Sequence, residues 1–144
     1  MNKQEIALNY FNNKFNCSQA VLASFGKDLG LLEDECLKIA CAFGGGMGRQ
    51  QLTCGAVTGA LMVLGLKYGK AFNDDESKKT DTYTKASEFL KKFEKLNGST
   101  TCKVLLQNLD MNNANDLQKI NELNLFKINC EKYISDAVTI LEKI

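Results

Sequence analysis

The 144-residue chain has no histidine, no tryptophan and no proline. Without histidine there is no Ser-His-Asp triad, no Cys-His dyad, no Cys2His2 zinc site and no histidine-ligated haem. Without proline no helix is interrupted from within, and turns must rest on glycine and asparagine. Charge of neither sign dominates, since 18 Lys and Arg stand against 17 Asp and Glu, a formal net charge of +1. No nucleic-acid partner is expected, because binding one calls for a basic face. Long apolar runs are scarce too. The longest, Leu52 to Leu66, is about 15 residues and includes Thr53 and Thr58, whereas a bilayer span needs about 20. Met1 to Ala7 contains no apolar core of signal-peptide length. The expectation is a cytoplasmic protein that does not span a membrane, in a reducing compartment where structural disulfides are uncommon. Six cysteines in such a place call for an explanation.

Apolar residues recur at helical spacing from end to end, and no segment alternates as a half-buried strand does. The pattern predicts a single all-α domain over residues 1–144, a compact bundle of about six to eight helices. Helices are expected at about 2–13, 17–29, 31–43, 53–68, 74–96, 101–109, 114–123 and 129–143. The one at about 53–68 is apolar nearly all round and should run through the centre as the most buried element. Its Gly55 and Gly59, four apart on one face, would let a neighbouring backbone approach.

The cysteines fall into two groups. Cys36 and Cys41 lie inside a predicted helix among Leu37, Ile39 and Ala40, and read as small buried apolar residues. The other four each follow a residue that caps helices well: Asn16-Cys17, Thr53-Cys54, Thr101-Cys102 and Asn129-Cys130. Gln19, three residues after Asn16, completes a capping box. A thiol in the first turn of a helix faces unpaired N–H groups and the positive end of the dipole, which favour its anion. Such thiols ionise at roughly 3.5–7.5 instead of about 8.5. The gaps of 37, 48 and 28 residues contain no Cys-x-x-Cys, so neither a thioredoxin motif nor a zinc ribbon applies. Only the fold can bring these four together, and it is expected to do so while Cys36 and Cys41 stay apart.

Just before Cys54 runs Gly44-Gly45-Gly46-Met47-Gly48-Arg49. The plain use of such a loop is to turn the chain. Its functional use would be an anion- or substrate-binding nest of backbone N–H groups from Gly44, Gly45, Gly46 and Gly48, with Arg49 pairing the charge. It is no Walker loop, since no Gly-Lys-Ser/Thr follows.

Three stretches now carry a resemblance. Phe15-Asn16-Cys17-Ser18-Gln19-Ala20-Val21, the glycine loop through Arg49, and Thr53-Cys54-Gly55-Ala56-Val57-Thr58-Gly59-Ala60 together resemble the C_GCAxxG_C_C family, with Cys102 and Cys130 as the later single cysteines. The family label writes Gly-Cys-Ala where this chain has Cys54-Gly55-Ala56, so the likeness rests on the surrounding residues. The resemblance implies a redox-active protein, with genes that often neighbour transporter genes.

The leading expectation is a thiol-based redox protein, of thiol–disulfide oxidoreductase kind, needing no cofactor. Cys54 is its expected attacking thiolate, Cys17 the resolving partner, and Cys102 and Cys130 a second pair or relay. Its partner would be a small-molecule or protein thiol or disulfide. The alternative is a zinc or iron–sulfur site through the same four cysteines. A further alternative is a helical adaptor with inert thiols, functionally linked to a transporter. A homodimer is compatible with each.

Overall fold

Asn2 and Asn16 begin helices in the same way. The Asn2 side chain accepts from the Glu5 N–H at 2.8 Å while the Glu5 carboxylate accepts from the Asn2 N–H at 3.0 Å. Asn16 and Gln19 repeat the exchange at 2.9 Å in both directions. Each box satisfies two donors that a helix start leaves unpaired. In the computed structural model, which describes residues 1–144, these boxes open α1 (Lys3–Asn12) and α2 (Cys17–Gly26). A 3₁₀ turn at Lys27–Leu29 continues α2 and stops at Gly30, whose φ of 98° only glycine adopts readily. α3 (Glu33–Cys41) starts on Glu33, Asp34 and Glu35, as the helix dipole favours. After the glycine loop come α4 (Gly55–Tyr68), α5 (Glu76–Asn97), α6 (Cys102–Leu105), α7 (Ala114–Glu122) and α8 (Leu125–Lys143). There is no strand, only one isolated bridge between Thr53 and Thr101. The protein is an all-α bundle of eight helices, and none is long and apolar enough to cross a membrane.

The centre is a pair, α2 against α4. α4 also packs on α5 and α8, and α2 on α1, α3 and α8. α4 is central as expected, yet α2 is the more completely buried, with eight of ten residues inside against eight of fourteen in α4. Two glycines allow the close crossing. A Cβ at Gly59 would stand 2.7 Å from the Ser18 carbonyl, and one at Gly55 3.0 Å from the Ser18 nitrogen. Around the pair, Leu22, Leu64, Phe89, Phe93 and Ile134 are buried, each contributing about 1.5–3 kcal/mol relative to exposure. A smaller cluster of Cys102, Leu106, Met111, Ile120 and Leu125 sits beneath the segment that joins α6 to α8.

Two helix boundaries differ from expectation. α8 begins at Leu125, not near 129, because Asn124 takes a left-handed conformation (φ 54°, ψ 39°) and turns the chain into the helix there. α6 is a single turn, because Gln107 and Asn108 also have positive φ, 59° and 61°, and end it.

Candidate functional site

The bridge between Thr53 and Thr101 joins two distant stretches. Cys54 N–H donates to the Thr100 carbonyl at 2.8 Å and Cys102 N–H to the Leu52 carbonyl at 2.6 Å. Both cysteines are thereby carried to one place. Cys17, the first residue of α2, arrives through the α2–α4 crossing; a Cβ at Gly55 would lie 3.1 Å from its own Cβ. Cys130 comes from the second turn of α8. All four thiols line one cavity of about 220 Å³, walled by Phe11, Leu105, Leu106, Met111, Phe126 and Tyr133, with Gly45, Gly46 and Arg49.

Cys36 and Cys41 are elsewhere. Cys36 is fully buried against Gly26, where an added Cβ would overlap its sulfur. Cys41 corrects the expectation of burial: it is the last residue of α3 and is exposed.

The expectation of four thiols in first helical turns is also corrected. Cys17 and Cys102 are first residues of their helices, although α6 is one turn long. Cys54 is itself the cap of α4, and Cys130 lies inside α8. Nor does Cys54 ionise easily. Burial pushes its thiol up to about 12, outweighing the Ala56 and Val57 N–H groups that favour its anion. Burial, followed by the neighbouring Cys130, holds Cys102 up at about 12 as well.

The remaining two thiols behave as a pair. Their mutual interaction, reinforced by burial, raises the Cys17 thiol well above the ordinary range, and the same interaction lowers Cys130 against the opposing effect of burial. The two thiols titrate as a pair. Cys130 and Cys17 are only half-buried, whereas Cys54 and Cys102 are buried.

The glycine loop is a left-handed coil. Gly45, Gly46, Met47, Gly48 and Arg49 all have φ between 56° and 70°. The N–H groups of Met47, Gly48, Arg49, Gln50, Gln51 and Leu52 donate to carbonyls of residues 42–47 at 2.8–3.1 Å, whereas those of Gly44, Gly45 and Gly46 make no backbone hydrogen bond. Gly45, Gly46 and Arg49 line the cavity, whereas Gly44 and Gly48 do not. Gly44 instead lies against the Asn16 side chain. The coil is stitched to residues 109–112. The Gln51 amide donates to the Leu109 carbonyl and accepts from the Met111 N–H, both at 2.8 Å, and Asn112 donates to the Arg49 carbonyl at 2.8 Å. The Arg49 guanidinium reaches the Met111 carbonyl at 3.5 Å and enters none of the eight ion pairs.

Tyr133 is a wall residue the sequence pattern left unremarked. It stands three residues after Cys130, on the same face of α8, and that spacing was the available signal. Its hydroxyl donates to the Leu105 carbonyl at 2.7 Å, and burial raises it to about 12. No three thiol or carboxylate side chains are disposed around one point so as to hold a metal ion.

A small helical domain that gathers four thiols from distant segments around one apolar cavity defines a class of cysteine-motif proteins. The chain belongs to the family described as "Putative redox-active protein (C_GCAxxG_C_C)", whose pattern it matches over residues 15–144. Comparison with curated proteins and with solved structures gives no match.

Proposed function

We propose that this protein is a cytoplasmic dithiol–disulfide redox protein in which Cys130 attacks and Cys17 resolves. One observation carries the reading: Cys17 and Cys130 line one cavity, where their interaction raises the thiol of Cys17 and lowers that of Cys130. The thiolate is the nucleophile in disulfide exchange, and a neighbouring thiol is what completes it. Cys130 attacks one sulfur of a disulfide partner, the partner's S–S bond breaks, and its first half leaves as a thiol after taking a proton. Cys17 then loses its proton and attacks the Cys130 sulfur, closing a Cys17–Cys130 disulfide and releasing the second half as a thiol. Two electrons and two protons pass from the pair to the partner. Cys54 and Cys102, protonated at neutral pH, form the second pair, able to return electrons to the first by exchange. Cys54, with its raised thiol, is better suited to this later role than to the first attack.

The test is oxidation of reduced, anaerobically purified protein by one equivalent of diamide, followed by peptide mapping without reductant. The expected product is a Cys17–Cys130 bridge, abolished by Cys130→Ser and unaffected by Cys36→Ser. A first bridge lacking Cys130 overturns the assignment. Stoichiometric zinc or iron in the purified protein overturns the dithiol reading itself.

A further inference from the structure

We propose that the cavity takes a small, soft sulfur anion, an inorganic polysulfide, as its oxidant. This rests on the Cys17–Cys130 reading and names its substrate class. Three features of the cavity select among disulfide-like compounds.

The first is size. At about 220 Å³ the cavity admits a few heavy atoms, below the usual range for drug-sized ligands. A bulky tripeptide disulfide does not fit inside. The second is charge. Arg49 is the only charged residue of the wall, and no carboxylate stands there to receive an ammonium group. Its guanidinium has only a long bond to a carbonyl and no ion pair. An amino-acid disulfide such as cystine would have to desolvate two ammonium groups without a partner, which is costly. An anion meets a free cation.

The third is the wall, where Phe11, Met111 and Phe126 line the cavity with aromatic and thioether surface that gives a hard oxyanion no donor in exchange for its water. Such surface suits a polarisable sulfur chain.

The chemistry balances. The Cys130 thiolate attacks an internal sulfur of a tetrasulfide dianion and the central S–S bond breaks. One half leaves as a hydrodisulfide anion after taking up a proton, and Cys130 retains the other half. Cys17 gives up its proton and attacks the Cys130 sulfur, releasing the second hydrodisulfide and closing the disulfide. Two thiols lose two electrons and two protons, and the broken sulfur–sulfur bond gains them.

The experiment measures the rate of Cys17–Cys130 bridge formation in the full chain with tetrasulfide, tetrathionate and cystine. Each rate is divided by that oxidant's rate with a free small thiol. Tetrasulfide should exceed the other two by on the order of tenfold, the scale of one charge-assisted contact. Arg49→Gln should lower the tetrasulfide rate by a similar factor, and Arg49→Lys should restore most of it. Equal normalised rates for the three oxidants, a faster tetrathionate reaction, or an Arg49→Gln rate equal to the parent's would each overturn the proposal. Neutral diamide separates the two layers. A bridge with diamide but no preference for tetrasulfide sinks the substrate class alone, and no bridge with any oxidant sinks the redox couple.

Discussion

Cys17→Ala and Cys17→Ser separate the proton role of Cys17 from its redox role. Both variants lose the resolving sulfur, so neither can close the bridge. They differ in what they offer Cys130. Serine keeps an O–H donor beside the thiolate, and alanine removes the only group that lowers Cys130, leaving burial, which raises it. A hydrogen bond to a charged acceptor is worth about 1.5–3 kcal/mol, or about 1–2 pH units at 1.36 kcal/mol per unit. Because Cys130 is half-buried, solvent screens part of that effect. The thiolate fraction rises with pH through the thiol's pKa. Losing Cys17 must therefore move the Cys130 alkylation profile to higher pH in Cys17→Ala. Cys17→Ser should stay near the parent. The assay is a pH series of iodoacetamide labelling on reduced, metal-free protein, read peptide by peptide. Superimposable profiles for the parent and Cys17→Ala would refute the idea that Cys17 sets the charge on Cys130.

The same labelling series should show Cys54 and Cys102 as slow thiols. Raising each from 9.0 to about 12 leaves about a thousandfold less thiolate at pH 8 than an ordinary cysteine has. Stability should fall between pH about 9 and about 12, because Cys54, Cys102 and Tyr133 ionise earlier in the unfolded chain than in the fold. Thermal melts under reductant check this, and a flat profile across that window would contradict the assigned burial. Gly59→Ala should cost about 1–3 kcal/mol by overpacking against Ser18 and Val21. Gly65→Ala, in the same helix with nothing within 4 Å, should be neutral or stabilising by up to about 1 kcal/mol in urea unfolding.

What could be read in the sequence was local. The Asn16-x-x-Gln19 box announced the start of α2 and the place of Cys17, because both partners lie within one turn. Gly55 and Gly59 announced the close crossing, though not that α2 would be the neighbour. Asn129 before Cys130 looked like another cap. The true start lies five residues earlier, at Asn124, whose left-handed conformation is a decision of the whole turn rather than of one residue's preference. The acidity of Cys54 was misjudged for a different reason. A helix start favours the anion, but burial opposes it more strongly, and burial is a property of the assembled core. Arg49 was expected to pair the charge of an anion held by the glycine loop, and it does line the cavity, together with Gly45 and Gly46. The meeting of Cys54 with Cys102 depends on the Thr53–Thr101 pairing, which no local pattern marks.

The order of these elements along the chain also sets when the site comes into being. Cys17 and Cys54 belong to the first helices to leave the ribosome, and Cys102 and Cys130 follow much later in the chain. Loops this long close only after the helices they join have formed. A partly synthesised chain therefore carries its thiols scattered, with no cavity in common. The fold acts as a timer: the four thiols share one cavity only once α8 has docked, and a chain that loses this docking returns to six unrelated cysteines.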